Sequence, residues 1–96
     1  MTYQINIRGD LRNQYKELIG KFAFNGYNTE AGYSEASLRF DSYAEAKETF
    51  NKVLSYIQNH DDDFYWVHLL LECYEINFGV YVLKDFSMRQ KDMYGK

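Results

Sequence analysis

Residues 63–75 read Asp63-Phe64-Tyr65-Trp66-Val67-His68-Leu69-Leu70-Leu71-Glu72-Cys73-Tyr74-Glu75, and their assignment decides how large a sheet the chain can build. Two readings fit. As a helix capped by Asp63, the run places Trp66, Leu69, Leu70 and Cys73 on one face. As a long buried strand, it opens with the aromatic and β-branched side chains that suit a sheet. The Leu-Leu-Leu-Glu centre favours helix, because Leu and Glu lose little rotamer freedom there. Periodicity alone does not separate the two for so short an apolar run.

Downstream, Asn77-Phe78-Gly79 turns the chain, and residues 79–86 (GVYVLKDF) form a last strand with Val80 and Val82 on one face. The polar stretch from Ser87 to Lys96 reads as a frayed tail. Upstream, Ser42-Tyr43-Ala44-Glu45 is a capping box, in which Ser42 accepts from a free helical N–H and Glu45 reaches back. Ala46, Phe50, Val53, Leu54 and Ile57 then recur on one helical face, so a helix is expected from about Tyr43 to Asn59. Before it, residues 34–40 alternate, with Ala36, Leu38 and Phe40 on one side and Ser37 and Arg39 on the other. Residues 27–33 (YNTEAGY) read as a loop or a short strand with a turn.

At the start, Tyr3, Ile5 and Ile7 alternate with Gln4, Asn6 and Arg8, the pattern of a half-buried strand that Gly9 breaks. Asp10 then caps a helix carrying Leu11, Tyr15, Leu18, Ile19 and Phe22 on one face, ending before Gly26. The expected fold is therefore α+β and two-layered. A small, about three-stranded, mainly antiparallel sheet carries two or three amphipathic helices on one face and meets water on the other. A ferredoxin-like arrangement with a hairpin within residues 27–41 is the rival.

A chain of 96 residues with no proline, repeat or linker reads as one domain, residues 1–96. Its 10 Tyr, 7 Phe and 1 Trp exceed what a core of this size buries, so several Tyr must lie at the surface as contact residues. Cys73 is the only cysteine, which rules out a disulfide within the chain and suits a reducing compartment. MTYQINIRGD lacks the basic and apolar regions of a signal peptide, and no apolar run is long enough to span a bilayer, so a cytoplasmic location is expected.

The net charge of −3 is unevenly spread. Between residues 28 and 75, ten carboxylates face only Arg39, Lys47 and Lys52, so this segment carries −7 and each flank carries +2. Such a segment projects a negative field that repels nucleic acid and attracts basic clefts. Glu45 and Glu48 share one helical side, and Asp41 precedes them.

The sequence carries no Gly-rich phosphate loop, no paired-histidine metal motif and no calcium loop around Asp61-Asp62-Asp63. His60, beside that cluster, suits a favourable contact with a helix C-terminus. His68 lies in an apolar run, and Cys73 has no basic activator nearby in sequence. A non-catalytic protein is expected, with no cofactor and no metal.

Residues 36–46 (ASLRFDSYAEA) resemble the third strand and second helix of an RNA-recognition motif, although that motif's glycines and stacking aromatics are missing. The whole chain resembles, in style, the small anti-CRISPR-like inhibitors that phages and mobile elements direct against host defence. The resemblance rests on a compact proline-free domain, one cysteine, many Tyr and Asn, no catalytic motif, and acids from Glu30 to Glu75. It implies a DNA mimic in the host cytoplasm. Glu30, Glu35, Asp41, Tyr43, Glu45, Glu48, Asp61, Asp62 and Asp63 would then occupy the DNA channel of a nucleic-acid-binding host complex, with Tyr27, Tyr33 and Tyr43 as anchors. Two alternatives stand beside it. One is a nucleic-acid-binding module using Arg8, Arg12, Lys16 and Lys21. The other is a homo-oligomeric regulatory domain that dimerises through its aromatic face.

Overall fold

The computed structural model describes residues 1–11, 14–30, 32–75 and 79–90. Its elements in chain order are β1 (Thr2–Asp10), α1 (Gln14–Phe22), β2 (Asn25–Glu30), β3 (Tyr33–Phe40), α2 (Tyr43–Asn59), β4 (Trp66–Glu75) and β5 (Gly79–Arg89), with one 3-10 turn at Asp61–Asp63. The strands form one sheet in the order β2-β3-β1-β4-β5, and every neighbouring pair is antiparallel. The first four strands and both helices follow the split βαβ order of the ferredoxin-like rival, and β5 extends the sheet by a hairpin from β4. The α+β class is as expected, but the sheet has five strands rather than about three.

The undecided run is a strand, so it forms no third helix. Val67, Leu69, Leu71 and Cys73 point to the covered face, while Trp66, His68, Leu70, Glu72 and Tyr74 point to the open one. β4 bonds to β1 on one side and β5 on the other, and pairing on both edges outweighs the weak helical preference of three leucines. Asp63 closes the 3-10 turn instead of capping a helix, donating its N–H to the His60 carbonyl at 2.9 Å.

Three smaller expectations change with it. The N-terminal strand continues through Gly9 to Asp10, so Asp10 is a strand residue, and α1 is described over Gln14–Phe22. Arg12 and the turn at Asn77-Phe78 lie outside the described residues. After α1 the left-handed position falls on Ala23 (φ 62°), while Gly26 sits inside β2, where a Cβ would meet the Tyr15 hydroxyl. Ser87–Arg89 belong to β5 rather than to a frayed tail, and residues 91–96 lie outside the described set.

α2 matches its expected span. Ser42 takes extended backbone angles and accepts from the Glu45 N–H at 3.3 Å. Ala46, Phe50, Val53 and Ile57 are its buried stripe. They pack with Leu18 of α1 against Ile5, Ile7, Ala36, Leu69 and Leu71, so both helices lie on one side of the sheet. No described helix is long and apolar enough to cross a membrane.

Candidate functional site: the open face of the sheet

The face that the helices leave uncovered carries Gln4, Asn6 and Arg8 from β1, Tyr33, Glu35, Ser37 and Arg39 from β3, and the even-numbered residues of β4. Side chains on a solvated sheet face usually move independently. Here they are joined across strands. Arg39 Nε donates to Gln4 Oε1 at 3.0 Å, Gln4 Nε2 donates to Asn6 Oδ1 at 3.0 Å, and Asn6 Nδ2 donates to Glu72. The Tyr74 hydroxyl donates to the same Glu72 carboxylate at 3.3 Å, and the Arg39 guanidinium lies 5.9 Å from the Tyr74 ring centroid.

A second carboxylate organises the other half. Tyr27 occupies the register irregularity between Gly26 and Asn28, which lets its ring lie across the face. Its hydroxyl donates to Glu35 Oε2 at 3.2 Å, and Asn28 Nδ2 donates to Glu35 Oε1 at 3.2 Å. Arg8, opposite Glu35 in register, brings a guanidinium nitrogen to 3.4 Å from His68 Nδ1. A guanidinium only donates, so a hydrogen bond at this contact has His68 Nδ1 as its acceptor. At one end of the face, Tyr33 and Trp66 stand 6.0 Å apart, with the Arg89 guanidinium 5.9 Å from the Trp66 ring centroid. Between these groups runs a shallow groove of about 560 Å³, floored by Leu70 and bordered by Val82 and Asp85.

This environment holds the phenols neutral. Desolvation, then the charge and hydrogen bond of Glu35, push Tyr27 up to about 12 from its usual 10.0. Tyr33 is raised by the same causes, and Tyr74 by burial followed by Glu72. The neutral Tyr27 phenol therefore contributes fully to stability below pH 10 and loses its contribution as pH rises through about 12. In an alkaline titration of tyrosinate absorbance, Glu35→Gln is expected to move a late-titrating fraction to lower pH, while a superimposable curve would refute the pairing.

The acids singled out from sequence do not gather into one row. Glu35 is on the open face and takes part in its hydrogen bonding. Glu48 lies exposed on α2, paired with Lys52 at 3.4 Å. Asp41 and Glu45 stand at the N-terminal end of α2, where the Tyr43 ring packs on Tyr3 at 5.6 Å. Asp61, Asp62 and Asp63 lie beyond its C-terminal end, one helix length of roughly 25 Å away at 1.5 Å per residue. Glu30 pairs with Tyr33 in the β2–β3 hairpin. Of the basic set, Arg8 is on the open face, whereas Lys16 and Lys21 are on α1, on the covered side.

Among the described residues, no group of three or more His, Cys, Asp or Glu side chains lies close enough to hold a metal ion. Cys73 is buried on the covered face. The residues missed in sequence are Gln4, Asn6, Arg39, His68, Glu72 and Tyr74. Their signal was the polar half of each alternating strand, readable in β4 only once it is taken as a strand. No protein-family model matches the chain, and no solved structure matches it.

Proposed function

We propose that this is a non-catalytic protein that binds another protein through the open face of its sheet. The observation that carries the reading is the hydrogen-bonded chain from Arg39 through Gln4 and Asn6 to Glu72 and Tyr74. A surface whose polar groups are already fixed loses less freedom on association, and that leaves more of the contact energy for affinity. Tyr, Trp and Arg are the side chains that dominate protein–protein contacts, and Tyr27, Tyr33, Trp66, Tyr74, Arg8, Arg39 and Arg89 supply them here. The arginines are matched on the same face by Glu35, Glu72 and Asp85, so a phosphate backbone gains little net attraction.

The inhibitor reading, in which acids enter the DNA channel of a host complex, also has a protein partner but places the contact at the ends of α2 rather than on the open face. It is supported by the exposed acids at both ends of α2. It requires a basic surface long enough to meet both ends at once.

Capture from nuclease-treated bacterial lysate, beside gel shifts of the pure protein on DNA and RNA, tests these readings. With Arg39→Glu and Trp66→Ala together, retention of the captured protein is expected to fall by about thirtyfold, the scale of losing one hot spot. Glu45→Lys with Glu48→Lys is expected to leave it unchanged. The converse pattern moves the site to the acids of α2, and a probe shifted by the pure protein replaces both readings with nucleic-acid binding.

A further inference from the structure

Among the described residues, β5 is an edge strand of eleven residues that pairs only with β4. Its outer edge therefore presents main-chain donors and acceptors to solvent, a template for one more strand. Edges of this kind are ordinarily blunted by charge, proline, brevity or a bulge. Here the first half of the strand has no charge and no proline, and its one bulge falls at its end, at Leu83. Val80, Tyr81, Val82 and Leu83 run without a charge and are 43–55 % exposed. The charged residues Lys84, Asp85 and Arg89 are confined to the second half. A register irregularity at Leu71/Glu72 separates the halves and leaves Leu83 without a β4 partner. This patch lies along the sheet's edge, where Val82 also borders the open-face groove.

We propose that the occupant of this edge is a second copy of the same chain, added antiparallel so that β5 meets β5 about a two-fold axis at Tyr81. The sequence around that residue is a palindrome, Val80-Tyr81-Val82. A two-fold contact uses the same patch on both partners, so residue i meets residue j and j meets i. An axis at Tyr81 sets Val80 against the partner's Val82 and ring against ring, all pairs that favour an antiparallel ladder. It also keeps Lys84 and Asp85 off the axis, so neither charge faces its own symmetry copy. The two sheets become one of ten strands, with the helices of both copies on the same side. A contact made by a few residues of one strand falls short of the roughly 20–30 residues a side of a standard interface, so a weak dimer in exchange with monomer is expected.

Sedimentation equilibrium of the full chain over a wide concentration range is the first measurement. A monomer–dimer equilibrium is expected, and Val82→Lys is expected to weaken it at least tenfold without altering the far-ultraviolet circular dichroism. Val82 stands opposite Glu72 within the sheet, so the new Lys has a carboxylate neighbour and the fold is retained. Val80→Lys, opposite Tyr74, is a second variant with the same expected result. Register is read by oxidising an equimolar mixture of Val80→Cys and Val82→Cys chains, which is expected to give far more covalent dimer than either variant alone. A chain that stays monomeric at all concentrations overturns the proposal. So does a dimer that both lysine variants leave intact, growth into open-ended oligomers, or cross-linking that shows no preference for the mixture.

Discussion

Gly9→Ala is expected to destabilise the fold by roughly 3–5 kcal/mol, from a strained backbone angle and an overpacked contact together. Gly9 lies in the middle strand of the sheet at φ 150°, a conformation that side-chain-bearing residues rarely adopt. A Cβ there would fall on the Trp66 carbonyl oxygen and come within 2.9 Å of both the Trp66 carbonyl carbon and the Val67 Cα. All three are backbone atoms of β4, held in register by Arg8↔His68 and Gly9↔Val67, so no side chain can swing aside. Relief requires β1 and β4 to separate where Tyr65 donates to the Asp10 carbonyl at 3.1 Å. Small domains have about 5–15 kcal/mol of total stability, so the loss is a large share of it. Urea denaturation followed by circular dichroism measures this directly. Gly20→Ala is the control, because a Cβ at that exposed helical position meets nothing within 4 Å. It is expected to be neutral or to stabilise by up to about 1 kcal/mol. Equal stability of the two variants would mean that β1 and β4 do not approach as closely as described.

The same glycine shows why part of the fold was not legible in the sequence. A glycine after an alternating hexamer resembles a strand end, and nothing local announces that another strand's backbone needs the space. β1, β3 and α2 were readable because each buries one face, so burial imposes a period on the residues. β2 was readable only as a loop or a short strand with a turn, since Asn25–Glu30 is an edge strand exposed almost throughout and carries no apolar alternation. The candidate site was obscured for a related reason. Sequence shows how many acids the segment 28–75 contains, and which side of a strand each occupies, but not which strands lie side by side, so Glu35 was grouped with Asp41 and Asp63. The sheet instead joins Glu35 to Tyr27 and Asn28, and Glu72 to Asn6 across 66 positions of chain.

Leu71→Ala is expected to cost about 2–5 kcal/mol, whereas Leu70→Thr, one residue away, is expected to cost roughly 1 kcal/mol. Leu71 is fully buried on the covered face, where its β1 partner is Ile5, so truncation leaves a cavity that the central strands cannot collapse into. Leu70 is also shielded, at 8 % exposure, but it faces the open groove between Asn6 and Asp85. A threonine hydroxyl there reaches polar neighbours or water, and its branched Cβ suits a strand. The order of the two costs distinguishes strand from helix in residues 66–75. In a helix, Leu70 would share the buried stripe of Trp66, Leu69 and Cys73, and Leu71 would lie off it, so Leu70→Thr would be the damaging change. Strand alternation reverses that order, and denaturant midpoints of the two variants measured side by side decide it. The comparison also bears on the binding surface. Only if β4 alternates do His68, Glu72 and Tyr74 share a face with Arg8, Asn6 and Arg39. A result in the helical order would therefore remove the open-face site together with the strand that carries half of it.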